Sequence, residues 1–162
     1  MNKLSRKVVK HGTRGMLVVA TWLARRPRLH GVTRGYLRAL AAGMARLRHI
    51  GPKEAPGAIG AEWQRGFGSA KEVPISSVDD RTVYAEIRTV CPLRGSGDVE
   101  ACYRTMEYDR AILERIGGSF VVLQSQAEPG VTVCKVAMRR AGVSVDDLVP
   151  AHLRVNRQGP TK

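Results

Sequence analysis

The chain has three cysteines, Cys91, Cys102 and Cys134, and all of them fall between positions 91 and 134 of its 162 residues. A thiol becomes a nucleophile when neighbouring cations or hydrogen bonds favour its thiolate, and the same thiolate can ligate a soft metal. Asp109 follows Cys102 by seven residues, a spacing that sets the two on one face of a continuous helix. A carboxylate on an apolar stripe must be hydrogen-bonded, paired, metal-bound or protonated, because an isolated buried charge costs several kcal/mol. Cys91, Cys102, Asp109 and Cys134 are therefore the catalytic candidates. In this reading Cys102 or Cys91 adds to an electrophilic C=N or C=O carbon, and Asp109 moves protons. Cys102 is favoured by its place in the first turns of its helix, and Arg94 or Arg110 would favour an ionised thiol. Arg94, Gln124 and Gln126 are the candidates for binding substrate.

Two other chemistries fit the same residues. Zinc could be held by Cys91, Cys102 and Cys134, completed by Asp109 or His152, but intervals of ten and thirty-one intervening residues lack the close cysteine pairs of structural zinc sites. No metal ligand is assigned on that basis. The three thiols could also fill a core as small hydrophobes. The segment Gly95-Ser96-Gly97 lacks the lysine and strand-to-helix setting of a nucleotide cradle.

The elements that must position these groups are legible from periodicity. Residues 83–91 alternate, with Val83, Ala85, Ile87, Thr89 and Cys91 on one side, and Pro92 ends the strand. Asp98 is a helix cap, and Val99, Cys102, Met106, Asp109, Leu113 and Ile116 form one stripe of a helix that Gly117-Gly118 stops. Residues 120–127 and 131–139 form a hairpin around Pro129-Gly130. If that pair is central, Ser125 faces Cys134, and Val121, Leu123, Ser125 and Ala127 share a side with Thr132, Cys134, Val136 and Met138. A short helix is expected over 144–153, interrupted by Pro150, before a tail from 156 to 162 without structure.

Upstream, Thr13 caps a helix over 15–26 that Pro27 stops, and a second helix over 33–50 turns Leu37, Leu40, Met44 and Leu47 to one side. Residues 51–81, rich in Gly, Pro and Ser, read as a connector with a short helix near 61–64. The fold class is thus α+β: an antiparallel sheet of at least three strands packed against a long helix, preceded by two basic N-terminal helices. Residues 1–53 form the basic helical segment, 54–81 the connector and 82–155 the α+β domain, all within one compact body.

The net charge of +13 is confined to one end. Residues 1–53 hold thirteen Lys or Arg and no Asp or Glu, whereas residues 54–162 hold fourteen of each sign. Such asymmetry points to an anionic partner: a membrane surface, an acidic protein or a nucleic acid. Nucleic acid is the least favoured, because with 5% aromatic residues no basic segment is interleaved with stacking rings. An odd number of unpaired cysteines fits a reducing cytoplasm, with attachment to an anionic membrane surface through the basic helices. The nine-residue apolar run 16–24 is too short to span a bilayer, which takes about 20 residues, and Arg25-Arg26-Pro27 replaces a signal-peptide cleavage site.

The succession Cys91-Pro92-Leu93, Cys102, Asp109, Gln124-Ser125-Gln126-Ala127, Gly130 and Cys134 resembles the L-2-amino-thiazoline-4-carboxylic acid hydrolase-like family. More distantly it is similar to the 4-vinyl reductase type of small-molecule-binding domain, some members of which hold zinc. The first resemblance implies hydrolytic opening of a cyclic amidine, with Cys91, Cys102, Asp109 and Cys134 at the matching positions. It covers 83–138, and the acid-free basic segment lies outside it. The function expected is a small hydrolase acting on a C–N bond, with no cofactor. The alternative is a non-enzymatic module that binds a small molecule or metal and is tethered by its basic helices.

Overall fold

A computed structural model describes residues 15–157. The cap at Thr13 and residues 158–162 of the expected tail lie outside the described residues, while Asn156 and Arg157, expected to lack structure, are helical. Helix α1 occupies 15–24 and is followed by a 3-10 turn at Pro27–Leu29. Next come α2 (His30–Leu47), α3 (Pro56–Gln64), β1 (Ile75–Val78), β2 (Thr82–Ile87), α4 (Val99–Thr105), α5 (Glu107–Ile116), β3 (Gly118–Gln124), β4 (Cys134–Arg140) and α6 (Ala151–Arg157). The class is α+β, with a four-stranded antiparallel sheet in the order β1-β2-β4-β3 behind the N-terminal helices.

Helices α3 and α5 lie on one face of the sheet. Trp63 and Ile59 of α3 and Ile112, Leu113 and Ile116 of α5 are fully buried there. Truncating any one of these aliphatic side chains to Ala costs about 2–5 kcal/mol. The approach is close enough to require glycine twice. A Cβ on Gly60 would sit 2.7 Å from Val83 Cγ1, and one on Gly118 would sit 2.9 Å from both the Arg139 carbonyl oxygen and Leu113 Cδ1. Helix α2 packs on the outer side of α5, where Arg34 and Arg38 reach Glu107, and Arg38 also reaches Glu114. On the other face of the sheet Arg139 is buried, held by the Thr82 hydroxyl at 2.9 Å and by Asp147 at 2.7 Å.

Several expectations need correction. The helix predicted from Asp98 to Ile116 is two helices, broken at Met106, whose ψ is 7°. The Thr105 hydroxyl donates to the Ala101 carbonyl at 2.8 Å, a back-bond to the preceding turn that tends to bend helices. Asp98 caps α4 as expected by accepting from the Ala101 N–H at 2.8 Å, and Gly117 ends α5 in the left-handed region at φ 91°. Strand β2 stops at Ile87, so Cys91 belongs to the loop beyond it.

The hairpin register is shifted by one across most of its length. Phe120 pairs with Met138 and Val122 with Val136, so Phe120 and Val122, not Val121 and Leu123, share the buried side with Val136 and Met138. An irregularity between Val122 and Gln124 then restores the predicted pairing at the open end, with Gln124 opposite Lys135. Helix α2 buries Thr33, Leu37, Ala41 and Ala45, leaves Leu40 and Met44 half-buried and exposes Leu47 to 74%, so small residues make most of the close approach to α5. The predicted connector supplies α3 and β1, and Pro150 precedes α6 rather than interrupting it.

Candidate active site

Residues 91–97 form a loop between β2 and α4 that is stitched to the hairpin turn. The Gly95 N–H donates to the Gln126 carbonyl and the Gly97 N–H to the Ala127 carbonyl, both at 2.8 Å. The buried Gln126 side chain completes the stitch. Its Nε2 donates to the Ile87 and Thr89 carbonyls at 3.0 and 2.9 Å, and its Oε1 accepts from the Cys91 N–H at 3.2 Å and Arg94 Nε at 3.0 Å. Arg94 also donates to the Thr132 carbonyl at 2.6 Å. Gln126 and Arg94, expected to bind substrate, are thus committed to holding loop and hairpin together. Gln124 sits at the end of β3 opposite Lys135.

This stitching brings the sulfurs together. Cys102, projecting from α4, lies beside the Cys134 thiol at the start of β4 and the Ser125 hydroxyl, both able to donate to its sulfur. Those two donors, Cys134 first, hold the Cys102 thiol below its ordinary value against the opposing effect of burial. Cys134 is pushed the other way, because its proton is engaged with Cys102 and its surroundings are apolar. The Cys134 sulfur also accepts from the Gln126 N–H at 3.3 Å. Half-buried Cys91 lies within electrostatic reach of both other sulfurs, accepts from the Leu93 N–H at 3.4 Å and is raised chiefly by burial. Of the three thiols only Cys102 is shifted toward its thiolate, and its neighbours Cys134 and Ser125 are the cause.

Asp109 does not join them. It lies beyond the break at Met106, buried on α5, and its Oδ1 accepts from the Trp63 indole N–H at 3.0 Å. Burial raises its carboxyl to about 6 in spite of that bond and of the nearby Arg110 cation. It makes no hydrogen bond to Cys102, and its charge raises the Cys102 pKa. Asp109 is part of the core around Trp63, and its one side-chain hydrogen bond among the described residues is to the indole.

A cavity of about 60 Å³ opens beside Cys102, room for roughly four to six water-sized groups. Phe120 and Val122 form an apolar wall, and Ser125, Arg110, Tyr103 and His152 line the rest. The His152 ring packs on Tyr103 with centroids 4.0 Å apart, and the Arg110 guanidinium lies 4.3 Å from the centroid of that same ring. Arg110 is fixed by Glu107 at 3.0 Å and by the Tyr103 carbonyl at 2.7 Å. Burial, opposed by Glu100 and aided by Arg110, holds the His152 pKa below its ordinary value, which favours the neutral imidazole.

Arg110, expected as a cation near a reactive thiol, and His152, expected only as a possible fourth metal ligand, both line the cavity with Cys102. One belongs to the helix after the break and the other to α6, fifty residues further along the chain than Cys102. Their meeting at one cavity is what spacing did not give. Among the described residues no group of three or more His, Cys, Asp or Glu is arranged to hold a metal ion. Comparison with protein-family models, with curated proteins and with solved structures gives no match to this chain.

Proposed function

We propose that this protein is a small-molecule hydrolase that opens a C–N bond of a cyclic amidine or related compound, with Cys102 as its nucleophile. The observation that carries the reading is the setting of Cys102: it lies beside Cys134 and Ser125 and lines a cavity together with His152 and an Arg110 fixed by Glu107. In the reaction, Cys102 adds to the sp² carbon as its thiol proton passes to His152. The imidazolium returns that proton to the departing ring nitrogen as the C–N bond breaks. Water, deprotonated by the same imidazole, then attacks the thioester-like carbon. Its proton returns to the sulfur, and the sum is one water added across the C–N bond. Arg110 offers its cation to a substrate carboxylate, and the small cavity admits a five-membered ring rather than a larger ligand. This agrees with what the family resemblance implies, except that His152 replaces Asp109 as proton carrier.

Iodoacetamide labelling of the native chain at neutral pH, resolved by peptide mass spectrometry, tests the thiol. Cys102 is expected to react well ahead of Cys91 and Cys134, and Cys134→Ser and Ser125→Ala are each expected to slow it. Three equally inert thiols overturn the nucleophile. Ring opening of 2-amino-thiazoline-4-carboxylate, followed by loss of ring absorbance, tests the substrate class. Turnover that is lost in both Cys102→Ser and His152→Ala supports the assignment, and turnover that survives Cys102→Ser refutes it.

A further inference from the structure

Helix α1 is packed with its small residues inward and its large ones outward. Ala20, Thr21 and Ala24 are buried, and Arg104 ties the helix to α4 by donating to the Ala24 carbonyl at 2.6 Å. On the opposite arc Val18, Val19, Trp22 and Met16 are all exposed, Trp22 to 53%. At 100° per residue these four, with half-buried Leu23 between them, make one continuous apolar stripe about 160° wide. A helix that served only to cover its own domain would bury the indole and expose the alanines. Single exposed apolar residues are ordinary, but a contiguous stripe containing Trp marks a surface meant to be covered.

The charge around the stripe says what covers it. Arg25, Arg26 and Arg28 are exposed at its C-terminal end, and the Arg26 guanidinium lies 3.6 Å from the Trp22 ring centroid. Lys3, Arg6, Lys7, Lys10 and Arg14 precede it in the sequence, and the first acid of the chain is Glu54. The arginines of α2 do not contribute equally, because Arg34 and Arg38 are spent on Glu107 and Glu114. Arg25, Arg26 and Arg28, which make no ion pair among the described residues, flank the apolar stripe of α1. An apolar face containing Trp, bordered by arginines and free of acids, matches an anionic bilayer surface: side chains enter the acyl boundary, the indole sits at headgroup level and the guanidinium groups meet lipid phosphates. None of the described helices is long and apolar enough to cross a membrane, so this contact lies in the interface plane.

We infer that α1 docks the protein on the surface of an anionic phospholipid membrane, independently of the chemistry at Cys102. Trp22 makes the test direct, because the only other tryptophan, Trp63, is fully buried. The full chain is mixed with vesicles of phosphatidylcholine alone or with about 30% phosphatidylserine, and flotation and tryptophan emission are read together. Flotation with the anionic vesicles, a blue shift lost in Trp22→Phe and weakening at high salt are expected. Arg25→Ala and Arg28→Ala should each weaken partitioning about fivefold. Val19→Asp, on an exposed position that leaves the fold intact, should abolish it. The inference is overturned if the anionic vesicles do not float the protein or if Val19→Asp floats as well as the parent. It is equally overturned by a dimer that Val19→Asp dissolves without any vesicle binding, or by duplex DNA being bound while vesicles are not.

Discussion

Replacing Asp109 with Asn separates a structural acid from a catalytic one and has a calculable size. The carboxyl is buried against Trp63, and its folded pKa is about 6 against an ordinary value of 3.8. A raised acid pKa means that the folded state prefers the protonated form. The contribution to stability is therefore fully present below pH 3.8 and is lost as pH rises through about 6. At about 1.4 kcal/mol per pH unit, that interval amounts to a loss of about 3 kcal/mol by neutral pH. Asn at 109 keeps an acceptor for the indole N–H but cannot ionise. Its own amide adds a cost that does not vary with pH. Urea unfolding of parent and Asp109→Asn at a series of pH values between about 4 and 8 isolates the effect, since all other groups cancel in the difference. The parent should lose about 2.5 kcal/mol relative to the variant across the range, with the steepest change below pH 6. A difference flat with pH would refute the placement of the acid in an enclosed core. The same variant should alkylate at Cys102 as fast as the parent or faster, because the Asp109 charge opposes thiolate formation. A large slowing would restore Asp109 as the proton carrier.

Other perturbations test the framework. Gly118→Ala forces a Cβ against the Arg139 carbonyl and Leu113, neither of which can yield easily, and should cost about 1–3 kcal/mol in urea unfolding. Gln126→Ala removes four hydrogen bonds between the loop and the hairpin, and orphaned buried backbone groups cost about 1–3 kcal/mol each, so loss of at least that much is expected, with faster proteolysis at 91–97. Burial pushes the Glu107 carboxyl up, but Arg38, Arg110 and Arg34 outweigh it and hold it below 4.5. Its contribution is present above pH 4.5 and lost as pH falls through the lower folded value, so Glu107→Gln should lower Tm at pH 7 and narrow the gap to the parent in acid.

The amino-acid sequence by itself determined the α+β class, the Asp98 cap, the Gly117 stop, the helix before Pro27 and the confinement of positive charge to one end. Each of these rests on local rules, a capping side chain, a residue free to take positive φ, a ring that blocks helix, or the 2.0 and 3.6 periods that mark an inward face. It also pointed to a cluster of cysteines, and three sulfurs do come within electrostatic reach of one another. Tertiary structure decided which inward groups meet. Cys102 and Asp109 share a stripe only on an unbroken helix, and a single hydroxyl back-bond at Thr105 accompanies the break that sends one toward the hairpin and the other toward Trp63. The irregularity beside Leu123 set the pairing that unites Ser125 and Cys134 at Cys102 while reversing the faces of the strand behind it. Arg110 and His152 reach the cavity from α5 and α6, and the Trp63 partner of Asp109 comes from a segment that reads as a connector. Periodicity encodes which way a side chain points along its own element. Its neighbours are fixed by the packing of elements distant in sequence, where close approach at Gly60, Gly118, Ala41 and Ala45 selects one arrangement among many with the same inward faces.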